Sequence, residues 1–553
     1  MGKMRGGVWI GLVAFMAAAQ ARPVAALDDG LARTPPMGWN SWNKFHCNIN
    51  ETIIRQTADA MVSSGLRDAG YVYLTVDDCW SAMTRNSAGN LQSDPTDFPS
   101  GMKSLGDYIH ARGLKYGIYA SIGTATCTGL TPGSLNNETR DVATFASWGA
   151  DYIKADRCHA NGLDYPMIYA RWRDAIRASG RPMVLSASVH GVQNPWLWGA
   201  GVAHQWRILG DINDSWLRMI AQIDKDTPLA QYAGPGGWND PDMLEVGNGH
   251  MTDTEYRSHF GMWAMLAAPL IAGHDVRSTS AATLAILTHP EILAVSQDAV
   301  GYQARRVSDN GAGLHIYSKV VSGTNVRVAA LFNRSDVTAN MTVTWSQLSL
   351  PSAPATVRDL WARADRGTFG SSFTASVPSH GIVVVRVAST STGPTPTPSP
   401  TPTPCATCGF SGYYRITPRH SGKAVVVQSA STANGANVFQ WSYGGSATND
   451  EWELRSIGSG YYRVISRHSG KDMVVQSAST AEGANIFQWA YGGTATNDEW
   501  AIVDVGSGYY RITNRNGGKS AEVVGAGTAD GADVVQRTYS GGTHQQFQLV
   551  SVP

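Results

Sequence analysis

The sequence predicts an α/β protein: a (β/α)8 TIM barrel, then an antiparallel β-sandwich, then a three-lobed all-β unit. Three observations lead there. From residue 28 to about 300, apolar strand-like runs alternate with helical stretches, which is the size and rhythm of one barrel. From 301 to 388 the pattern becomes alternating β runs with no convincing helix. Beyond a proline-rich tract the chain repeats itself at a spacing of 48 residues, from 411 to 459 and again from 459 to 507.

At 553 residues the chain is too long for one typical domain, and 43% hydrophobic content with 18 Trp is ample for several cores. Residues 1–26 have the layout of a secretory signal peptide: Lys3 and Arg5, an apolar run from Val8 to Ala19, and the small-residue exit Val24-Ala25-Ala26. That run is shorter than the ~20 residues of a membrane span, so an exported, extracellular product is expected, and no later run is long and apolar enough to cross a bilayer. Lys plus Arg and Asp plus Glu both number 43. A net charge of zero argues against a nucleic acid or an anionic membrane as partner and points to a neutral one. Six cysteines in an exported chain read as disulfides before zinc ligands.

Within 27–300 the strand-like runs are "YVYLTVDD", "LKYGIYAS", "DYIKAD", "RPMVLSAS", "HQWRILGD" and "APLIAGHD". An open doubly wound sheet is the alternative. No Gly-rich phosphate loop opens the first βα turn, and polar residues collect at the ends of many strands, which favours the barrel. The runs "GLHIYSKVV", "NVRVAALFNR", "MTVTWSQL" and "GIVVVRVA" place the antiparallel β-domain at 301–390. A linker at 391–408 contains "TPTPSPTPTP", which forms no packed element and reads as an extended spacer. Cys405 and Cys408 at its end lack a second such pair, so a small local loop is the reading rather than a metal site.

Residues 409–553 hold the repeat: "SGYYRITPRHSGK", "SGYYRVISRHSGK" and "SGYYRITNRNGGK". Short β runs broken by Gly and Asn suit a unit that closes only when three copies pack together. Through "NGANVFQW", "EGANIFQW" and two "NDEW" segments it resembles the ricin-B-type β-trefoil, a fold of carbohydrate-binding modules. The resemblance implies an early aspartate in each lobe that grips sugar hydroxyls; those places read Val426, Val474 and Glu522, which speaks against binding in the first two lobes. Trp441 and Trp489 stay open between sugar platform and core, with Asn449 and Asn497 as further lectin candidates, while Trp452 and Trp500 read as core.

The barrel carries the chemistry. In "YIKADRC" strand alternation sends Tyr152, Lys154, Asp156 and Cys158 to one face, the inner one in a parallel barrel. A lysine and an aspartate there are costly unless paired, and near the C-terminal mouth they become a site. A buried Lys–Asp pair that only holds the barrel is the plainer alternative. Against it, Asp77 and Asp78 end an earlier strand, Arg207 and Asp211 a later one, and "GGWNDPDM" adds Asp240 and Asp242. Asp214 and Asp240 also read as helix N-caps. Carboxylates at one rim with Trp39, Trp80 and Trp206 beside them fit a sugar, which needs acids for hydroxyls and proton transfer and flat aromatics for its apolar face. No G-x-S-x-G and no H-E-x-x-H is present, and His204 reads as a hydrogen-bonded core residue.

The segments "PPMGWNSWNKFHCNINE", "DDCW", "TPGSL", "YIKADRC", "WRILGDINDSW" and "GGWNDPDML" together resemble the retaining α-galactosidase and α-N-acetylgalactosaminidase family, glycoside hydrolase family 27, over roughly residues 33–390. That resemblance implies Asp156 as nucleophile, with Lys154 stabilising its anion, and Asp211 as a proton-holding acid/base. It implies Trp39, Asp77 and Asp78 at the galactose ring and its 4- and 6-hydroxyls, Tyr119, Lys154 and Cys158 at the pocket wall, and Arg207 and Asp242 on the 2-position side. It implies disulfides Cys47–Cys79 and Cys127–Cys158, no metal or organic cofactor, and a galactose-containing oligo- or polysaccharide as partner.

The match departs at "SASVHG", residues 186–191, where the family usually carries C-E-W-G with a glutamate on the 2-hydroxyl. Ser188 and Val189 would then make room for an N-acetyl group, or His190 would compensate. Ser121, Ala155, Arg157 and His46 depart as well. An α-galactosidase is the leading expectation; another glycone (α-N-acetylgalactosamine or β-L-arabinopyranose) and an inactive secreted carbohydrate-binding protein are the alternatives. Asp77 with Asp78 favours a sugar that has a 6-hydroxyl.

Overall fold

Eight parallel strands follow one another around a single sheet: β1 (Met37–Asn40), β2 (Tyr73–Val76), β3 (Lys115–Ser121), β4 (Tyr152–Asp156), β5 (Val184–Ser188), β6 (Gln205–Arg207), β7 (Trp238–Asp240) and β8 (Leu270–Ala272). β1 pairs with β2 and with β8. Leu244, just past β7, closes the ring: its N–H donates to Ile271 O at 2.7 Å, and its carbonyl accepts from Gly273 N at 3.0 Å. The computed structural model describes residues 27, 29–389, 410 and 412–552 apart from 445, 446, 459, 481, 494, 495, 507 and 540. The signal-peptide segment, the linker, Cys405 and Cys408 lie outside the described residues.

Helices pack outside the barrel, each set by local sequence. Tyr165–Ser179 begins with Asp164, whose side chain accepts the Met167 N–H, has a proline in its first turn, and ends on Gly180 at φ 70°. It buries Ile168, Tyr169, Trp172, Ala175 and Ile176, one stripe at helical spacing. Tyr169 crosses back to donate its hydroxyl to Ala155 O at 2.7 Å, tying the helix to β4. Glycine is required where β3 lies against β2, since a Cβ at Gly117 would collide with the Thr75 hydroxyl.

The β-sandwich has a six-stranded antiparallel sheet, running from Ala364–Phe369 at one edge to Arg305–Asp309 at the other, and a second layer of Ala339–Thr344 paired with Ser372–Val377. Ile316, Leu331, Val343, Trp345 and Phe373 fill its core. Helix Asp253–Leu266 is buried nearly all round because it lies between barrel and sandwich. Ser258 donates to His380 O at 2.6 Å and Lys319 Nζ to Ala264 O at 2.7 Å across that contact.

The C-terminal unit is a threefold β-trefoil. Phe410 packs edge-on against Tyr414, Tyr462 and Tyr510, one from each repeat, at 5.7, 5.5 and 5.6 Å. Buried Gln440 donates to Gly527 O, Gln488 to Ser431 O and Gln536 to Ser479 O, so each lobe reaches into the one before it around a ring. Among the described residues no helix is long and apolar enough to cross a membrane.

Candidate active site

The carboxylates gather at the C-terminal ends of the barrel strands. Asp77 and Asp78 are both buried past β2. Asp77 Oδ2 accepts from Asn40 Nδ2 at 2.6 Å and from Lys154 Nζ at 2.8 Å, and its Oδ1 accepts the Asp78 N–H. Asp78 accepts the Cys79 N–H at 2.7 Å and the Thr128 N–H at 3.3 Å. Carboxylates out of water need such donors. Burial still pushes the Asp78 carboxyl up, against the Cys79 amide. Burial would lower Lys154, but Asp77 and then Asp156 outweigh it and hold the ammonium charged. The lysine's direct bond is thus to Asp77, with Asp156 as its more distant counter-ion, rather than the reverse.

Asp156 is the last residue of β4, and its Oδ1 accepts the Arg157 N–H at 2.8 Å. Burial raises its carboxyl to about 6, and the positive charge of Lys154 opposes the rise. The disulfide Cys127–Cys158 fastens the next residues to the loop after β3, and Tyr119 donates its hydroxyl to Cys127 Sγ at 3.0 Å. The Asp156 carboxylate lies within 4.8 Å of both sulfurs. Sulfurs joined to each other carry no thiolate charge, so this trio makes no metal site. Cys47–Cys79 ties the loop after β1 to the residue after Asp78. Cys79 at φ 76° and Asp242 at φ 84° sit in left-handed backbone at the rim.

Arg207, from β6, joins the far side: its Nη2 lies 2.9 Å from Asp211 Oδ1 and 2.8 Å from Asp242 Oδ2. Asp242 also accepts the N–H groups of Ile212 and Met243, both at 2.8 Å. Asp211 is the accessible member, with 62% of its side chain exposed. Burial pulls its carboxyl upward, but Arg207 and His190 hold it down at about 2. These two neighbours keep Asp211 ionised, whereas the acid role expected from the sequence needs a proton there.

The segment after β5 carries the main surprise. Ser188 and Val189 are fully covered. His190 follows at φ 55° and swings its ring between the two carboxylates, with Nε2 3.5 Å from Asp156 Oδ1, 3.4 Å from Asp211 Oδ1 and 3.3 Å from Ser188 Oγ. Burial, then the charge of Arg207, lowers the imidazole to about 4, so it is neutral at neutral pH. Asn40 was also missed as a site residue, although "MGWN" was in view; a side chain that only braces another has no signature of its own.

Two aromatic readings change, those of Trp80 and Trp206. Trp39, Trp80 and Trp206 are at most 2% exposed, and their indole N–H groups donate to His274 O, Tyr119 O and Asn239 Oδ1. Trp80 packs edge-on against Phe145 and Trp148 on the outer side of the barrel wall, so it offers no sugar platform. Asp214 and Asp240 cap no helix: Asp214 accepts the His250 N–H and the Tyr256 hydroxyl, and Asp240 accepts from Asp242 N and Gln205 Nε2. His204 is a core residue, accepting the Leu185 N–H at 3.0 Å.

Asp211 also lines a groove of about 420 Å³, together with Trp42, Lys44, His46, Asn213 and Glu245. Asn43 and Asn248 donate to the two Glu245 oxygens at 2.6 and 2.5 Å, and burial pushes that carboxyl up to about 7.

In the trefoil, a cavity of about 620 Å³ opens in the second lobe, lined by Phe487, Trp489, Gln476, Asn497 and Asp498. Trp441 and Trp489 are 47% and 46% exposed, so neither is core, while Trp452 and Trp500 are fully buried and donate to Val425 O and Met473 O. Asn449 and Asn497 each donate to a strand carbonyl, Val427 O and Val475 O. Asp498 is buried with Oδ1 unpartnered among the described residues, and burial raises its carboxyl to about 6. Glu522, the acid in the third lobe, is instead engaged by Arg537 at 3.1 Å and Gln545 at 2.8 Å. A lobe lacking the strand acid, the second, thus has an open pocket, and the lobe possessing it uses the charge internally.

Comparison with known proteins agrees with this fold. The Alpha galactosidase A family profile matches residues 34–298, the Alpha galactosidase C-terminal beta sandwich domain 311–387, and the Ricin-type beta-trefoil lectin domain-like profile 406–489 and 496–553. Alpha-galactosidase 3 of Arabidopsis thaliana is 50% identical over 359 residues, 64% of this chain and 82% of that protein. Alpha-galactosidase I from Mortierella vinacea superposes with a TM-score of 0.63 at 39% identity, covering 65% of this chain and 98% of that one. The Saccharomyces cerevisiae alpha-galactosidase solved with raffinose gives a TM-score of 0.63 at 29% identity over 66% of this chain and all of that one.

Proposed function

The chain belongs to the alpha-galactosidase family of glycoside hydrolases, and from that premise we propose that it releases terminal α-D-galactosyl residues from oligo- or polysaccharides by retaining double displacement. Asp156 attacks the anomeric carbon, and Asp211 protonates the leaving oxygen and then takes a proton from water. The observation that carries this is the shared contact with His190. Distances of 3.5 and 3.4 Å from one nitrogen cap the gap between the two carboxylate oxygens at their sum, below most of the ~6.5–9.5 Å that inverting enzymes need for an intervening water.

The remaining roles follow from placement. Asp77 and Asp78, with Lys154 and Tyr119, hold the hydroxyls far from C1, on the floor that Trp39 backs and the wall that the Cys158 disulfide fixes; Arg207 and Asp242 hold the side near C2. Lys154 and Arg207 each pair one buried acid and hold it ionised, which leaves the remaining lone pairs of those carboxylates to accept sugar hydroxyls. The leaving group occupies the groove that Asp211 lines. Residues 27–300 act as the catalytic unit with 301–390 packed on it, and 409–553 as the carbohydrate-binding module, whose second lobe offers the Trp489 platform. Export through residues 1–26 is supported by two disulfides, which persist in oxidising compartments.

The test is NMR of the first-formed product from 4-nitrophenyl α-galactoside. Retention predicts α-galactose ahead of mutarotation. Initial β-galactose, or undiminished turnover by Asp156→Ala, would overturn the mechanism.

A further inference from the structure

The three lobes of the trefoil carry the same pair of stacked arginines, and only the acids beside them differ. On the first strand of each repeat (Tyr413–Pro418, Tyr461–Ser466, Tyr509–Asn514) one arginine lies over a tyrosine of its own lobe. These are Arg415 over Tyr443, Arg463 over Tyr491 and Arg511 over Tyr539, at 4.1, 3.6 and 4.9 Å from the ring centre. Just past the strand a second arginine stacks on a tyrosine of the neighbouring lobe: Arg467 on Tyr413, Arg515 on Tyr461 and Arg419 on Tyr509. The backbone N–H of each of these three donates at 2.8 Å to the carbonyl of Glu451, Glu499 or Gln546, which makes those positions equivalent. Ala424, Asp472 and Ser520 are equivalent too, since each opens the hairpin that follows.

The second lobe has both acids: Asp472 takes Arg463 at two points, 2.9 and 2.7 Å, and Glu499 lies 2.5 Å from Arg515. The first lobe has one, because Ala424 replaces the aspartate and Glu451, 2.7 Å from Arg467, remains. The third lobe has neither, reading Ser520 and Gln546. Gln546 joins that lobe's two stacks: its Nε2 donates to the Tyr539 hydroxyl at 3.0 Å, and its Oε1 accepts from Arg419 Nη1 at 2.7 Å. Among the described residues no carboxylate pairs with Arg419 or Arg511, and Arg511 Nε is buried without any partner. Both cationic stacks are thus kept where both counter-charges are gone. A guanidinium held flat on a ring keeps its in-plane N–H groups aimed and free, the arrangement that grips an oxyanion.

We propose that Arg419 and Arg511 of the third lobe bind an oxyanion carried by a polysaccharide, a uronate carboxylate or a sulfate ester. Two cations are too few for a nucleic acid, where roughly six to ten phosphate contacts are usual. The exposed Trp441 and Trp489 elsewhere on the module suit sugar rings. A net charge of zero is a sum over the whole chain and does not forbid a local surplus. The proposal goes beyond the neutral-sugar pocket of the second lobe and needs no hydrolysis.

The experiment uses the full chain carrying Asp156→Ala, so that nothing is cut, and measures binding to unsubstituted galactan, polygalacturonate, a sulfated galactan and double-stranded DNA at 50 and 200 mM salt. Its partner variant adds Ser520→Asp with Gln546→Glu, which gives the third lobe the acids that the second lobe already accommodates. Stronger binding of at least one acidic polysaccharide than of galactan is expected, by about tenfold, falling severalfold between the two salt concentrations; the stronger of the two acidic polymers identifies the group. The double-acid variant is expected to lose that preference and to bind galactan as before. No preference in the parent, a preference that survives the two added acids, or DNA bound more tightly than either acidic polysaccharide overturns the proposal. If the double-acid variant fails to fold, Arg419→Gln with Arg511→Gln carries the same test, and a preference that survives there overturns it equally. Galactan bound with no acidic preference leaves the neutral-sugar reading standing without this one; acidic polymers bound with no affinity for galactan do the reverse.

Discussion

The barrel mouth and the second-lobe pocket of the trefoil are both candidate sugar sites, and they are built on opposite plans. At the barrel mouth the acids are paired or amide-bonded, the tryptophans are buried, and backbone strain is concentrated at Cys79, His190 and Asp242. In the trefoil pocket the tryptophan is half exposed and, among the described residues, the one acid lining it, Asp498, has an unpartnered oxygen. Breaking a bond needs charge arranged in advance around the atoms that change charge. Holding a neutral polymer needs an accessible flat face and few polar points.

Asp156→Ala breaks the comparison most sharply. Loss of kcat on the order of 10⁴ to 10⁶ is expected on 4-nitrophenyl α-galactoside, with polysaccharide binding by the trefoil unchanged in the same protein. Equal loss of both would show that the two sites are not separable.

The pH profile comes next. With Asp211 near 2 and Asp156 near 6, the productive form, Asp156 ionised and Asp211 protonated, is a minor microstate. Its population peaks midway, at about pH 4, and falls about tenfold per unit above 6 as Asp211 loses its proton with Asp156 already ionised. A bell in kcat/KM centred there is the expected outcome; an optimum near neutrality would show that Asp211 gains its proton only with sugar bound. Polysaccharide binding through Trp489 should stay level across the same range above pH 6, where Asp498 is ionised.

Two smaller effects sharpen the contrast. Trp489→Ala is expected to weaken polysaccharide binding about tenfold, the order of one lost stacking contact, leaving kcat on small glycosides intact; an unaffected affinity would move the binding site to another lobe. Trp42→Ala should lower kcat/KM severalfold on an α-galactosyl disaccharide and hardly at all on an aryl glycoside with a good leaving group. Equal losses on both would place Trp42 outside the leaving-group groove.

Much of the barrel was legible because apolar runs mark six of its strands. β1 and β7, of four and three residues, were visible only as the motifs "PPMGWN" and "GGWNDPDM". Strand alternation was enough to aim Lys154 and Asp156 inward, since the period of two is fixed by the backbone. It could not say that the lysine would bond Asp77, which comes from another strand 77 residues away. Trp80 and Trp206 misled because a place at a strand end does not fix which side of the wall a ring enters. His190 was flagged only for the acid missing beside it; a left-handed turn past a strand end obeys no periodicity. In the trefoil, Val474 suggested a blank lobe, but the pocket draws its acid from Asp498, on another segment of the same repeat.

The trefoil's first and last strands, Tyr413–Pro418 and Phe547–Val552, lie side by side and pair at six positions. The ring of lobes thus has one seam with no peptide bond across it, and Phe410, just ahead of the first of those strands, presses on a tyrosine from every repeat. Tension drawn through the tether enters at this joint before it reaches any lobe. A module gripping an immobile polymer would then be limited by the shear strength of one six-rung ladder, and its mechanical weak point would be the place where the threefold symmetry is broken to let the chain in.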